Sequence, residues 1–138
     1  MRHAGADREL HPDGHHVSPA PLRLLHRLLT GPVYYTTDAM AAAGTGLGRY
    51  HIGELEVEVG ADQIVRQPGK TNFAGSALTP IDGVFRAAKM LNCPWQDCWS
   101  RFSEMPGRFI GFRNELRVGL NSFCVVDPGA ASASVMSA

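Results

Sequence analysis

Apolar residues recur at helical spacing in three stretches of the chain. The first stretch begins at Ser18-Pro19, a typical helix start with serine as the N-cap and proline at the first helical position. Its spacing is marked by Leu22, Leu25, His26 and Leu29. Thr30-Gly31-Pro32 is unfavourable for continuing a helix. The pattern therefore predicts one helix between these two signals.

Two more helices are predicted close together in the second half of the chain. Thr79-Pro80 begins one of them, because threonine can cap it and Asp82 comes close to completing a capping box. Asn92 ends this helix and Pro94 begins the next. Their apolar faces are marked by Ile81, Val84, Phe85, Ala88 and Leu91 in the first, and by Trp95, Cys98, Trp99 and Phe102 in the second. Met105-Pro106-Gly107 is predicted to break the second helix.

Runs of β-forming residues predict the strands. Residues 33–37 show no alternation of polar and apolar positions, which is typical of a parallel strand buried on both faces. Residues 49–67 indicate a hairpin, because Leu55, Val57 and Val59 alternate with glutamates and a Gly-Ala-Asp turn follows. A half-exposed strand is therefore predicted in the first arm of this hairpin.

The remaining segments are predicted mainly as loops. Residues 39–48 and 71–78 are rich in glycine and small residues, which indicates a mobile loop in the first case and a second loop further on. A last strand is predicted over residues 123–126, and residues 129–138 are predicted to fray. The first twelve residues are polar and unpatterned, and disorder is one interpretation of them.

The predicted order is helix, strand, hairpin, helix, helix and strand, which places the chain in the α/β class. Only one strand has the pattern of a buried parallel strand, and one strand cannot form a sheet. The length of 138 residues excludes a complete (β/α)₈ barrel, which needs about 250 residues. We therefore expect the chain to assemble with another chain or to be a piece of something larger.

Composition narrows the classes of partner. Thirteen basic and thirteen acidic residues give a formal net charge of zero, so no global field would attract nucleic acid or an acidic membrane. No apolar run approaches the 18 or so residues of a membrane span. The three cysteines match no common zinc pattern, and we interpret them as reduced thiols in a cytosolic protein. No nucleic-acid partner and no membrane partner are expected.

Three groups of residues could carry chemistry. Asp38 follows the predicted buried strand, and in α/β folds active sites are built at that end of the strands. Its carboxylate could be a general base, a metal ligand or a helix cap. Asp13-Gly14-His15-His16 could bind a metal ion or a substrate, or could be a polar loop before a helix. Ala74-Gly75-Ser76 could offer backbone N–H groups to an oxygen-rich ligand.

Together these stretches resemble the C-terminal part of N-acetylglucosamine-6-phosphate deacetylases, which are amidohydrolases. The matching pieces are residues 13–17, 37–44, 73–79 and 106–111. The resemblance implies that residues 1–112 are the C-terminal part of a metal-dependent-hydrolase (β/α)₈ TIM barrel with a hairpin insertion. It implies that residues 113–138 are a strand returning to a small β-domain, followed by a tail.

The resemblance also implies a role for each matching residue. Asp38 resembles the catalytic aspartate that takes a proton from water and delivers it to the leaving amine. The residues that resemble substrate contacts are Asp13, Gly14, His15, His16, Phe73, Ala74 and Gly75. The family uses a divalent metal, zinc or similar, to activate the water. Its metal ligands, a glutamate and two histidines, precede the matching region, so no metal ligand is expected in this chain.

Three interpretations follow from this resemblance. The chain is a fragment of a deacetylase that cleaves N-acetylglucosamine 6-phosphate in amino-sugar catabolism, or a subunit that a second chain completes. The third interpretation is a non-catalytic module that binds an amino-sugar phosphate. The implied partner is a small-molecule substrate, the implied assembly of the full-length enzyme is a homodimer, and the implied location is the cytoplasm.

Overall fold

The computed structural model describes residues 8–29, 32–112 and 118–137. These residues form a mixed α/β structure with three separate sheets. The strands are β1 (Arg8–Leu10), β2 (Val33–Tyr35), β3 (Gly48–Ile52), β4 (Leu55–Val59), β5 (Ile64–Arg66), β6 (Phe73–Ser76), β7 (Ser122–Asp127) and β8 (Ser132–Ser137). The helices are α1 (Pro19–Leu28), α2 (Pro80–Leu91), α3 (Trp95–Phe102) and α4 (Glu104–Phe109).

The first sheet is a parallel pair, β1 and β2, connected through α1. Arg8 is opposite Val33 and Leu10 is opposite Tyr35, and the N–H of Thr36 extends the ladder to the carbonyl oxygen of Leu10 at 3.0 Å. The prediction of a single parallel strand was wrong, and so was disorder at residues 8–10. The sequence of β1 is mostly polar and has no strand pattern of its own. It forms a strand because β2, which begins 25 residues further along the chain, pairs with it. Residues 1–7 lie outside the described residues.

The second sheet is antiparallel and has the order β3-β4-β5-β6. The predicted hairpin is confirmed as β4 and β5, which pair on either side of the turn at residues 60–62, with Val57 and Val59 buried and Glu58 exposed. The loop predicted over residues 71–78 is wrong in part, since β6 pairs with β5 there. A parallel bridge between Ala39 and Ser76 joins this sheet to the segment that follows β2.

The three longer helices begin where the sequence predicts. Ser18 and Pro94 occupy the N-cap positions of α1 and α3, although Ser18 makes no side-chain capping bond. The hydroxyl oxygen of Thr79 accepts the N–H of Asp82 at 3.3 Å, and Asn92 ends α2 in the left-handed conformation. The predicted break at residues 105–107 is wrong, since the interruption lies at Ser103 and α4 follows. Proline is tolerated in the first turn of a helix, where its missing N–H is not needed.

Two apolar clusters hold these elements together. The first lies between the β1–β2 pair and the helices, and includes Leu22, Val33, Tyr35, Val84 and Cys98. The second lies against the antiparallel sheet, and includes Ala42, Val57, Val59, Val65 and Ala77. All three cysteines are free in this structure.

The last two strands, β7 and β8, form an antiparallel hairpin in which most residues are exposed. The prediction of a strand at residues 123–126 is confirmed, but the prediction of a frayed tail was wrong up to Ser137. The carboxylate of Asp127 accepts the N–H groups of Gly129 and Ala130 and so closes the turn. Among the residues described, no helix has the length and apolar character needed to span a membrane.

Candidate active site

Three segments predicted to carry chemistry meet at one edge of the structure. Because β1 and β2 are parallel, the loop that follows β1 and the segment that follows β2 leave the sheet at the same edge. The third segment is β6, which contacts both of them. Its Phe73 ring contacts the rings of His15 and His16, and its Ser76 pairs with the backbone on both sides of Ala39.

Asp13 organises the loop after β1. It is one of two buried polar residues among those described, at 5% exposure. Its Oδ1 accepts the backbone N–H of His15 at 2.9 Å and of His16 at 2.8 Å, and its Oδ2 lies 2.5 Å from Nδ1 of His16. Burial favours the neutral acid, but these hydrogen bonds outweigh it and hold the pKa of the Asp13 carboxyl below its ordinary value. Asp13 is therefore an anion that fixes the loop and the His16 ring.

The aromatic contacts place His16 beside β6. Its ring centroid lies 5.3 Å from that of Phe73, and the planes are inclined at 64°. Arg66 covers Phe73, with Cζ 5.5 Å from the ring centroid. Phe73 nevertheless stays 44% exposed. The histidine and phenylalanine rings thus form an accessible surface that a ligand can contact.

Arg86, on α2, holds the backbone of the Asp13 loop. Its part in this edge is not predicted from the sequence. Its Nη1 donates to the carbonyl oxygen of Asp13 at 2.9 Å, and its Nη2 donates to Oε1 of Gln63. Gln63 in turn donates to Asp82 at 3.3 Å. Seventy-three residues separate Arg86 from Asp13, and no local pattern indicates this contact. The Asp-x-His-His spacing, by contrast, suits a side chain that accepts N–H groups two and three residues later.

Asp38 is exposed just beyond the end of β2, as predicted from its position. Its φ of 49° is in the left-handed region, where aspartate is more acceptable than most residues. Its carbonyl oxygen accepts the N–H of Ser76 at 3.2 Å, and the N–H of Met40 donates to the carbonyl oxygen of Ser76 at 2.9 Å. The backbone is thereby held on both sides, while the carboxylate remains open to a ligand.

Gly75 permits the close approach of β6 to the segment after β2. Its φ is +134°, which disfavours any side chain, and an added Cβ would lie 3.2 Å from Sδ of Met40. Gly75 and Ala74 are half-buried beside this contact. The structure therefore brings the predicted residues of β6 next to Asp38 through the backbone, and next to His16 through Phe73.

The donor set at this edge does not fit a metal centre by itself. Nδ1 of His16 is engaged by the carboxylate of Asp13, so the pair is already satisfied by its own contact. Within residues 8–29, 32–112 and 118–137, no group of three or more His, Cys, Asp and Glu side chains could hold a metal ion. The described residues can hold and orient a ligand and can exchange a proton through Asp38.

An Asp13→Asn substitution is expected to destabilise the fold in a pH-dependent way. The folded-state pKa of Asp13 is lowered, so its stabilisation is present above the ordinary value of 3.8 and is lost as the pH falls through the folded value. The variant should lose about 1–3 kcal/mol of unfolding free energy at pH 7, and progressively less below pH 4. Urea unfolding of both proteins between pH 2.5 and 7 measures this difference.

The matched control for this prediction is Asp38→Asn. Asp38 is exposed and the structure describes no hydrogen bond to its carboxylate, so this substitution should leave the unfolding free energy nearly unchanged. A loss that is equal for the two variants, or that is constant from pH 7 to 2.5, would contradict the role given to Asp13.

Comparison with known proteins identifies relatives of the whole region around this edge. No family model matches the chain. The chain is 34% identical over 108 residues to the N-acetylglucosamine-6-phosphate deacetylase of Vibrio furnissii, covering 78% of this chain and 27% of that protein. It is 32% identical over 112 residues to the deacetylase of Bos taurus, covering 80% of this chain and 26% of that protein.

Solved structures agree with the sequence comparison. A variant of the Mycobacterium smegmatis deacetylase in complex with N-acetyl-D-glucosamine-6-phosphate matches 75% of this chain and 28% of that chain, with a TM-score of 0.61 and 31% identity. The Thermotoga maritima deacetylase matches the same share of this chain and 28% of its own, with a TM-score of 0.62 and 27% identity. The chain therefore belongs to the N-acetylglucosamine-6-phosphate deacetylase family, and it spans about a quarter of the length of the curated relatives it matches.

Proposed function

We propose that this chain supplies part of the active site of an enzyme that hydrolyses N-acetylglucosamine 6-phosphate to glucosamine 6-phosphate and acetate. The observation that carries the proposal is the convergence of Asp38, the Asp13–His16 loop and β6 at one edge of the parallel pair. Family membership supplies the reaction, since the M. smegmatis relative is in complex with this sugar phosphate.

Asp38 is the proposed proton shuttle. Water adds to the acetamide carbonyl carbon, and the carboxylate of Asp38 takes the proton that the water loses. When the carbon–nitrogen bond breaks, Asp38 returns this proton to the nitrogen, which leaves as a neutral amine rather than as an amine anion. The exposed carboxylate suits both transfers, because it is accessible and the backbone that carries it is held by Ser76.

The proposed substrate contacts lie on either side of Asp38. The loop contributes Asp13, Gly14, His15 and His16, and β6 contributes Phe73, Ala74 and Gly75. Asp13 orients the imidazole of His16, whose ring stands beside the exposed face of Phe73. An aromatic ring can pack against the apolar face of a sugar, while an imidazole can exchange hydrogen bonds with its hydroxyl groups.

The larger architecture is part of the same proposal. The β1–α1–β2 unit would belong to a (β/α)₈ barrel within residues 1–112, and residues 113–138 would lead to a small β-domain. The divalent metal that the resemblance implies, zinc or similar, would be held by residues other than those described. The homodimer and the cytoplasmic location stay predictions, as does the absence of nucleic-acid and membrane partners.

The proposal is tested by measuring acetate release from a chimeric enzyme, the joined protein. In this protein the chain replaces the matching 108 residues of the V. furnissii deacetylase, so that every element of the relative is present once. With Zn²⁺ added, we expect acetate release from N-acetylglucosamine 6-phosphate, and none from the relative lacking those residues. A folded joined protein that binds the sugar phosphate but releases no acetate would contradict catalysis and would favour a non-catalytic binding module.

A further inference from the structure

A basic cavity lies on the opposite side of the structure from the candidate active site. It has a volume of about 310 Å³ and opens between α1, the end of α2 and α3. The helices α1 and α2 both start near the edge that carries Asp38 and run away from it, so their last turns lie at the far edge. There Arg101 donates to the carbonyl oxygen of Val33, the first residue of β2, at 3.0 Å.

Three guanidinium groups line this cavity. Arg23 and Arg27 are one helical turn apart on α1, and Arg101 faces them from α3. One carboxylate, that of Asp97, also lines it, so its formal charge is about +2 with His26 neutral. The pKa of His26 is lowered, first by burial and then by the charge of Arg101, which keeps the ring neutral near pH 7.

Hydrogen bonds orient two of these guanidinium groups without neutralising their charge. Arg23 and Arg101 each donate to one backbone carbonyl oxygen, the first to Met90 at 2.6 Å, which orients the group and leaves most of its donors unused. In the part of the chain that the structure describes, no carboxylate forms an ion pair with any of the three, and Arg27 has no hydrogen-bond partner. Concentrated positive charge with oriented, unused donors is the chemistry that binds oxyanions.

We propose that this cavity is a second ligand site that binds a phosphate group, either free phosphate or a phosphate monoester. The planar forks of Arg23 and Arg101 are held by backbone contacts and can each donate two parallel hydrogen bonds to phosphate oxygens. Arg27 adds a third charge from the same helix face. A volume of about 310 Å³ reaches the lower end of ordinary ligand sites, so it admits a phosphate group with a small substituent.

The test is a titration of the ¹⁵N-labelled 138-residue chain at low ionic strength, followed by amide NMR. The probes are inorganic phosphate, glycerol 3-phosphate and glycerol. We expect both phosphates to shift the amides around Arg23, Arg27 and Arg101, and glycerol to shift none. Tighter binding of glycerol 3-phosphate identifies a phosphorylated small molecule as the natural ligand, and equal binding identifies free phosphate. Shifts that avoid these helices, or no shifts, would overturn the proposal.

Substitutions distinguish a specific phosphate site from non-specific attraction between charges. Arg27→Gln should weaken phosphate binding about 10-fold, since Arg27 makes no internal contact that its loss would break. Asp97→Asn should tighten binding about 3-fold, because it removes the carboxylate that faces the ligand. Arg108→Gln, an equal loss of charge on exposed α4, should change it less than 2-fold. Equal weakening by the two arginine variants would refute a specific site.

Discussion

Replacing Asp38 by asparagine is expected to reduce acetate release by the joined protein by about 100- to 10,000-fold. General acid–base catalysis contributes rate factors of this size, and asparagine can neither accept nor return the proton. The fold should be retained, since asparagine has nearly the same volume and is well suited to the left-handed φ of 49° at this position. Steady-state assays of acetate release, beside calorimetry of substrate binding, measure the effect.

The pattern of the two measurements distinguishes chemistry from folding. Loss of the proton shuttle should lower kcat while the dissociation constant of N-acetylglucosamine 6-phosphate changes little. Glu54→Gln is the matched control, because it removes an exposed carboxylate from the turn between β3 and β4, and Glu54 lines neither proposed ligand site. It should leave acetate release within about 2-fold. Comparable rates in the Asp38 variant and this control would remove Asp38 from the mechanism.

The largest expected effect on stability comes from Leu22→Ala. Leu22 is completely buried at 0% exposure, and it belongs to the cluster that joins α1 to β2 and α2. Shortening a buried leucine to alanine removes apolar contacts and leaves a cavity, which costs about 2–5 kcal/mol. Since whole domains are stable by only about 5–15 kcal/mol, this loss should shift the urea midpoint strongly. Circular dichroism during urea unfolding measures it.

Leu24→Ala provides the comparison on the same helix. Leu24 is 56% exposed, so the same chemical change there removes few buried contacts. Its cost should stay within about 0.5 kcal/mol, the usual range for surface positions. If both leucine variants lost the same free energy, α1 would not pack on the β1–β2 pair as described.

The anchored edge of this fold suits the polar loop to the place in an active site that we propose for it. Arg86 holds the carbonyl oxygen of Asp13, and Asp13 holds the ring of His16. On the other side, Ser76 holds the backbone around Ala39. The side chains that we propose as ligand contacts are thus carried by short segments whose backbones are tied to α2 and β6, which limits the motion of their reactive groups.

Features that depend on neighbouring residues could be predicted from the amino-acid sequence alone. The starts of α1, α2 and α3 follow from Ser18-Pro19, Thr79-Pro80 and Pro94, because capping acts within a single helical turn. The hairpin of β4 and β5 follows from the alternation along β4 and from the turn residues that come directly after it. Asp38 was identified as a candidate from its place after a buried strand, which is also local information.

Features that depend on partners distant in the chain follow from the folded structure and could not be predicted locally. β1 is a polar segment that becomes a strand because β2 pairs with it, and β6 forms because β5 and Ala39 offer it hydrogen bonds. The contacts of His16 with Phe73 and of Arg86 with Asp13 join residues 57 and 73 positions apart. Local propensity contains no information about such partners, since their free energy arises only when packing has brought the segments together.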